Sequence, residues 1–300
     1  MNILITGSWV NNPATIDTLE KMGHKLFFMQ NEMGEMPVPY EEIEGTICNG
    51  LFLYHHIEKF KNLKYIQLIS AGFDRVPMDY VKEKGITIYN ARGVYSIPMA
   101  EYALMGVLSL YKKIAFFLEN QKEHKWIKNR ELVELYGKNA LVVGCGNVGN
   151  ECAKRFFALG MKVYGADIIN PNWNYGGEFY FMENIESALK NADVVVLTLP
   201  LTDETYHLFD EKLLGCLKET AVLVNISRGA VIESNALCKV LSEEKIMGAV
   251  LDVFEEEPLS EESPLWDMKN VIITPHNSFV SGANSKRLSG VVIKNLESQE

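Results

Sequence analysis

Residues 139–167 read NALVVGCGNVGNECAKRFFALGMKVYGAD. The run NALVVG has the length and composition of a buried strand, and it ends in a glycine turn, GCGNVG, that opens a helical stretch reaching Leu159. A second strand candidate, MKVYGAD, closes on Asp167, 18 residues after Gly149. Each glycine has its own task in such a unit. Gly144 permits the tight turn, Gly146 lets backbone approach a diphosphate, and Gly149 lets the helix pack closely on its strand. The helix N-terminus adds unpaired N–H groups and a positive dipole end, so Gly144, Gly146, Asn147, Val148 and Gly149 form a candidate phosphate cradle.

The glycine pattern alone is a weak signal, and it gains force from strand, turn, helix and acid falling in register. A carboxylate at Asp167 can accept hydrogen bonds from the hydroxyls of an adenosine ribose. It would also repel a 2′-phosphate, and no arginine follows in IINPNW. The expected cofactor is therefore NAD rather than NADP.

The alternation of strand and helix extends in both directions. After MKVYGAD come the strand candidates DVVVLTL, AVLVNIS, MGAVLD and NVIIT, giving six parallel strands from Asn139 to about Thr274. Upstream, NILITG, HKLFFM, GTIC, KYIQLIS and GITIYN alternate with helical spacing over residues 1–90. The expected fold is α/β in two domains, residues 1–93 plus 279–300 and residues 94–278, with the tail helix packing back on the first. Between them, residues 97–118 (IPMAEYALMGVLSLYKKIAFFL) read as one long helix, apolar on nearly every face, with Pro98 near its first turn. Such a helix must be covered, either by its own chain or by a second subunit, and a homodimer through this helix is expected.

Thirty-nine acidic against 29 basic side chains give a formal charge of −10, and the basic residues are scattered rather than gathered into a stripe. That argues against nucleic acid or an anionic membrane as partner. The start MNILITG has no basic n-region, and no window is apolar for long enough to span a bilayer, so a cytoplasmic location is expected. The five cysteines contain no CxxC pair and read as reduced packing residues.

Arg228, Glu257 and His276 each stand just beyond an apolar run, in VLVNISRG, AVLDVFEEEP and VIITPHNS. Ligands of open α/β sheets collect outside the carboxyl ends of the strands, so these three are expected to share one cleft. The neighbouring His55 and His56 would point to opposite faces of an extended segment and make a poor metal site. His24, His124 and His207 stand alone in the sequence, and Glu255 and Glu256 read as surface residues.

Seven stretches in order resemble the D-isomer-specific 2-hydroxyacid dehydrogenases across nearly the whole chain: SAGFDRVP (Ser70 to Pro77), MAEYAL (Met99 to Leu104), GCGNVG, PLTDET (Pro200 to Thr205), NISRGAVI (Asn225 to Ile232), LDVFEEEP (Leu251 to Pro258) and TPHNS (Thr274 to Ser278). The resemblance implies a flavodoxin-like substrate domain and a doubly wound Rossmann-type NAD-binding domain. It implies hydride transfer between NAD and a 2-oxo acid, with His276 as acid/base, Glu257 as its carboxylate partner and Arg228 on the substrate carboxylate. It further implies substrate contacts from Ala71, Gly72 and Asn49, and cofactor contacts from Pro200, Thr205 and Asp252. The loop CNGLFLYHH has no arginine or lysine where phosphoglycerate-type members place arginines, so a small unphosphorylated acid is expected, against a lining of Leu51, Phe52 and Tyr54. A corepressor-like NAD(H)-sensing binding protein, with little turnover, is the alternative that the family leaves open.

Overall fold

A computed structural model describes residues 1–7, 9 and 13–298. The chain divides into two compact units, Met1–Tyr95 with the tail from Ser281, and Ser96–Val280.

The first unit carries five parallel strands, β1 (Asn2–Thr6), β2 (Lys25–Met29), β3 (Gly45–Cys48), β4 (Tyr65–Leu68) and β5 (Thr87–Tyr89), in the order β2-β1-β3-β4-β5. This is the flavodoxin-like order. Strands β3 and β4 are buried along their whole length, as parallel strands covered on both faces must be. One face buries Leu51, Ile57 and Phe60 against Leu4 and Ile66. The other is closed by the tail helix Asn284–Glu297, whose Leu288, Val292 and Leu296 recur every four residues and pack with Ile3 and Ile5.

The second unit carries seven parallel strands, β6 (Asn139–Val143), β7 (Lys162–Asp167), β8 (Gly176–Phe181), β9 (Val194–Leu197), β10 (Val222–Asn225), β11 (Gly248–Leu251) and β12 (Val271–Ile273), in the order β12-β11-β10-β9-β6-β7-β8. The order reverses between β6 and β9, which opens a crevice at their carboxyl ends. The sequence pointed to six strands. The seventh, β8, lies at the sheet edge with its residues half-exposed, so its sequence GGEFYF lacks the continuous apolar run that marked the others.

The single helix expected over residues 97–118 is two helices, Ser96–Tyr111 and Ile114–Lys122. Lys113, in the left-handed region at φ 51°, breaks them apart. The first helix is covered by its own unit along Ala100, Ala103, Val107 and Tyr111, and Gly106 lets it sit on Val250 of β11, where an added Cβ would fall 2.5 Å from a Val250 methyl. Met105, Ile114 and Leu118 remain exposed, so the pair is not covered all round. No helix among the described residues is long and apolar enough to cross a membrane.

Candidate active site

The glycine turn after β6 is built as its residue types require. Gly144 has φ 93°, a conformation open to glycine and strained for other residues, and its carbonyl accepts the Thr198 hydroxyl at 2.6 Å. A Cβ on Gly149 would lie 2.1 Å from the Gly144 carbonyl oxygen, so only glycine lets the helix Asn147–Ala158 approach β6 this closely. That helix buries Gly149, Cys152, Ala153 and Phe156, the i, i+3, i+4, i+7 face that seats it on the sheet.

Gly146 precedes the helix and has nothing within 4 Å of where a Cβ would be. No side chain caps this N-terminus, so the first-turn amides of Asn147, Val148 and Gly149 keep their capacity to bind an anion. The exposed Gly146 and Asn147 therefore leave a cradle that fits a diphosphate. Asp167 ends β7, where one carboxylate oxygen accepts Cys145 N–H at 2.6 Å and the other accepts Ile168 N–H at 2.7 Å. Each oxygen retains a lone pair for a further donor. Asp167 thus ties the glycine turn to the next strand while facing the same crevice edge. Cys145, inside the turn, is buried, and burial pushes its thiol up to about 12.

Thr205 keeps its hydroxyl within its own loop, donating to Pro200 O at 2.7 Å and accepting Thr202 N–H at 2.8 Å. Together with Pro200 it shapes the loop that leaves β9.

Arg228 follows β10. Its guanidinium donates to Ser227 O at 2.8 Å, and its own carbonyl accepts the Asn225 side-chain amide at 3.0 Å. Gly229 then lies directly on the next loop, where a Cβ would be 1.8 Å from the Phe254 carbonyl carbon. Glu257 belongs to that loop, and Phe254 N–H donates to its Oε1 at 3.1 Å. Its Oε2 lies 2.9 Å from His276 Nδ1. Both side chains are partly open to solvent, at 38% for Glu257 and 42% for His276.

His276 is held in the left-handed region at φ 50°, with its N–H donating to Asp252 O at 2.8 Å. Such a backbone persists where its surroundings over-determine it, and here Asp252 does so. The Asp252 carboxylate is fully buried and accepts Thr274 Oγ1 at 2.6 Å, Asn277 N–H at 2.8 Å and Ser278 N–H at 2.9 Å. Tyr102 in turn donates to Thr274 Oγ1. Asp252 is thus a buried acceptor around which the TPHNS loop is wound.

Thr198 and Asp252 are loop-organising residues whose bonds reach across the sheet, and nothing local in the sequence marks those bonds, whereas Asn225 bonds within its own turn to Ser227 and Arg228. His207, which stands alone in the sequence, and Glu255, which reads as a surface residue, form a pair at 2.6 Å. Forty-eight residues separate them, so only the fold could join them.

Asn49, Ala71 and Gly72 belong to the first unit, beyond the carboxyl ends of β3 and β4. The amides of Asn49 and Gly50 both donate to the Glu32 carboxylate at 2.7 Å, and Thr6 Oγ1 donates to it at 2.6 Å. His55 is buried, with Nε2 3.0 Å from Glu32 O and Nδ1 2.9 Å from Tyr40 Oη, so it braces this loop. Arg75, outside the 48–56 window, comes alongside Gly50, 3.7 Å from the position of an added Cβ. The Ala71 carbonyl accepts the Asn90 side-chain amide at 2.5 Å.

A sequence profile described as D-isomer specific 2-hydroxyacid dehydrogenase, NAD binding domain, matches residues 104–278. The chain is 35% identical to a D-3-phosphoglycerate dehydrogenase of Methanocaldococcus jannaschii over 79% of its own length and 45% of that relative's. It is 34% identical to a glyoxylate reductase of Thermofilum pendens, covering 78% of this chain and 71% of the relative. The crystal structure of a D-isomer specific 2-hydroxyacid dehydrogenase family protein from Aeromonas salmonicida superposes with a TM-score of 0.84 at 28% identity, covering 99% of this chain and 94% of the other. This chain belongs to the D-isomer specific 2-hydroxyacid dehydrogenases, a family of NAD-dependent oxidoreductases, and residues 104–278 are that family's NAD-binding domain.

Proposed function

We propose that the protein reduces a small, unphosphorylated 2-oxo acid to the D-2-hydroxy acid with NADH, and runs the reverse oxidation with NAD. The observation that carries this reading is the 2.9 Å contact between His276 Nδ1 and Glu257 Oε2 at the strand ends of the NAD-binding unit. When bound, the reduced nicotinamide supplies hydride to the carbonyl carbon. Charge then develops on the carbonyl oxygen, and a positioned proton donor is needed there. With Nδ1–H directed to Glu257, Nε2 of His276 is the nitrogen left to give that proton, and to take it back in the reverse direction. The Glu257 carboxylate, 2.9 Å from Nδ1, fixes the ring in that orientation. Arg228 forks onto the substrate carboxylate and polarises the carbonyl; in the first unit, Ala71, Gly72 and Asn49 are the substrate-binding residues.

On this reading Gly144, Gly146, Asn147, Val148 and Gly149 carry the diphosphate and Asp167 the ribose. Pro200, Thr205 and Asp252 shape the walls around the nicotinamide half. The absence of arginine and lysine from Cys48 to His56 supports a substrate without a second anionic group, and the glyoxylate reductase relative supports a small one. The exposed Met105, Ile114 and Leu118 support a homodimer through the two helices of residues 96–122.

The test is NADH oxidation with glyoxylate, pyruvate, hydroxypyruvate, 2-oxoisocaproate and 3-phosphohydroxypyruvate. Turnover of an unphosphorylated acid is expected to lead. Preference for the phosphorylated one would refute the substrate assignment, and tight NADH binding without turnover of any acid would make the protein a nucleotide-sensing binder.

A further inference from the structure

Glu257 and His276 are each exposed to water, and an exposed pair by itself holds its geometry weakly. Something must keep the Glu257 loop in place, and the structure has a second set of contacts two residues upstream. Glu255 Oε1 lies 2.6 Å from His207 Nε2, and Ser234 Oγ donates to Glu255 Oε2 at 2.6 Å. Both oxygens are thereby engaged, from opposite sides. His207 is itself fixed, stacked on Tyr206 with ring centroids 4.0 Å apart, at φ 50°, with its N–H donating to Ala230 O at 2.8 Å. Ser234 is the first residue of the helix Ser234–Ser242, which buries Ala236, Leu237, Val240 and Leu241.

We propose that Ser234 and His207 are positioning residues that clamp Glu255, and so hold the Phe254–Pro258 loop in the arrangement that sets Glu257 against His276. The route is short. Glu255 fixes the backbone next to Phe254, and the Phe254 N–H binds Glu257 Oε1, whose carboxylate meets His276 through the other oxygen. Gly229 closes the same loop from the Arg228 side, in direct contact with Phe254 and Glu255 backbone. The elements around the clamp carry the titratable or charged groups Asp203, Glu204, His207, Arg228, Glu233, Lys239, Glu256, Glu257 and His276. Because His207 ends the loop that begins at Pro200, the clamp also ties that loop to the acid/base pair. The clamp is a statement about geometry; its importance to turnover rests on the function proposed above.

Ser234→Ala removes one arm without changing charge, at an exposed position where folding is not at risk. The readout is the Nδ1 chemical shift of His276 by NMR on the full-length, histidine-labelled protein at one fixed pH, with the signal assigned by its loss in His276→Gln. Loosening Glu257 weakens its hydrogen bond to Nδ1, so that signal should move and broaden in Ser234→Ala. Ser234→Thr, which keeps the hydroxyl, should restore the parent's signal. A Ser234→Ala signal unchanged from the parent's overturns the proposal, as does a Ser234→Thr signal displaced as far as the alanine variant's. This readout needs no turnover. Inactivity toward every oxo acid alongside the expected shift would sink the proposed reaction and leave the clamp standing.

Discussion

Gly229→Ala is the perturbation whose outcome the geometry specifies most fully. A Cβ at this position would lie 1.8 Å from the Phe254 carbonyl carbon, 2.1 Å from its oxygen and 2.3 Å from Glu255 N. Ordinary contact begins near 3.4 Å, and the obstructing atoms are backbone, so no rotamer change can relieve the overlap. The Arg228 and Phe254 loops must part by about 1.5 Å, an overpacking that costs about 1–3 kcal/mol. For a unit of this size the melting temperature should fall by about 2–10 °C. The larger effect falls on the site, because one loop carries Arg228 and the other positions Glu257 through the Phe254 N–H. A displacement of about 1 Å between groups that act on one substrate costs on the order of 100-fold in rate. The assay is kcat/KM for glyoxylate with NADH, measured on folded protein after a thermal scan. A variant that keeps the parent's kcat/KM and melting temperature would refute the close packing. A variant that melts lower but turns over as before would show that the loop spacing does not matter to the chemistry.

Asp252→Asn replaces an acceptor-only group with one whose NH2 faces an amide or hydroxyl donor, so at least one of the bonds to Thr274, Asn277 or Ser278 is lost. Urea unfolding should register a loss of about 1–3 kcal/mol together with a fall in kcat, and a change below about 0.5 kcal/mol would contradict the loop-winding role. Glu255 is held below its ordinary value of 4.5, first by the Ser234 hydroxyl and then by His207. A depressed carboxylate stabilises the fold above its unfolded value, and that stability is lost as pH falls through the folded one. Urea midpoints should therefore drop more steeply below about pH 4.5 for the parent than for Glu255→Gln, and parallel acid arms would exclude the effect. Asp167→Ala should raise the ratio of NADPH to NADH efficiency about tenfold, by removing the charge that opposes a 2′-phosphate. An unaltered ratio would take the ribose role away from Asp167.

What was legible in the sequence was local. The β6, glycine turn and β7 segment could be read because each glycine answers a nearby steric demand, borne out at Gly144 and Gly149. The strand ends carrying Arg228, Glu257 and His276 stood out because β10, β11 and β12 are uninterrupted apolar runs, β12 even at a sheet edge. Edge strand β8, GGEFYF, mixes exposed and half-buried residues and carries no such run. The break at Lys113 was hidden within an apolar run, since left-handed geometry at a lysine has no sequence mark. The remaining features depend on long-range contact. Thr198 on Gly144, Asp252 beneath the His276 loop, His207 on Glu255, and Arg75 beside Gly50 are tertiary neighbours that no spacing rule joins.

The reaction account depends above all on His276 as the group that moves the proton. The most direct test is kcat for NADH oxidation with the best oxo acid, compared between the parent and His276→Gln at saturating substrate. Loss of a positioned acid should lower kcat on the order of 10²–10⁴-fold, with NADH affinity little changed. A His276→Gln enzyme turning over at the parent's rate would contradict the account.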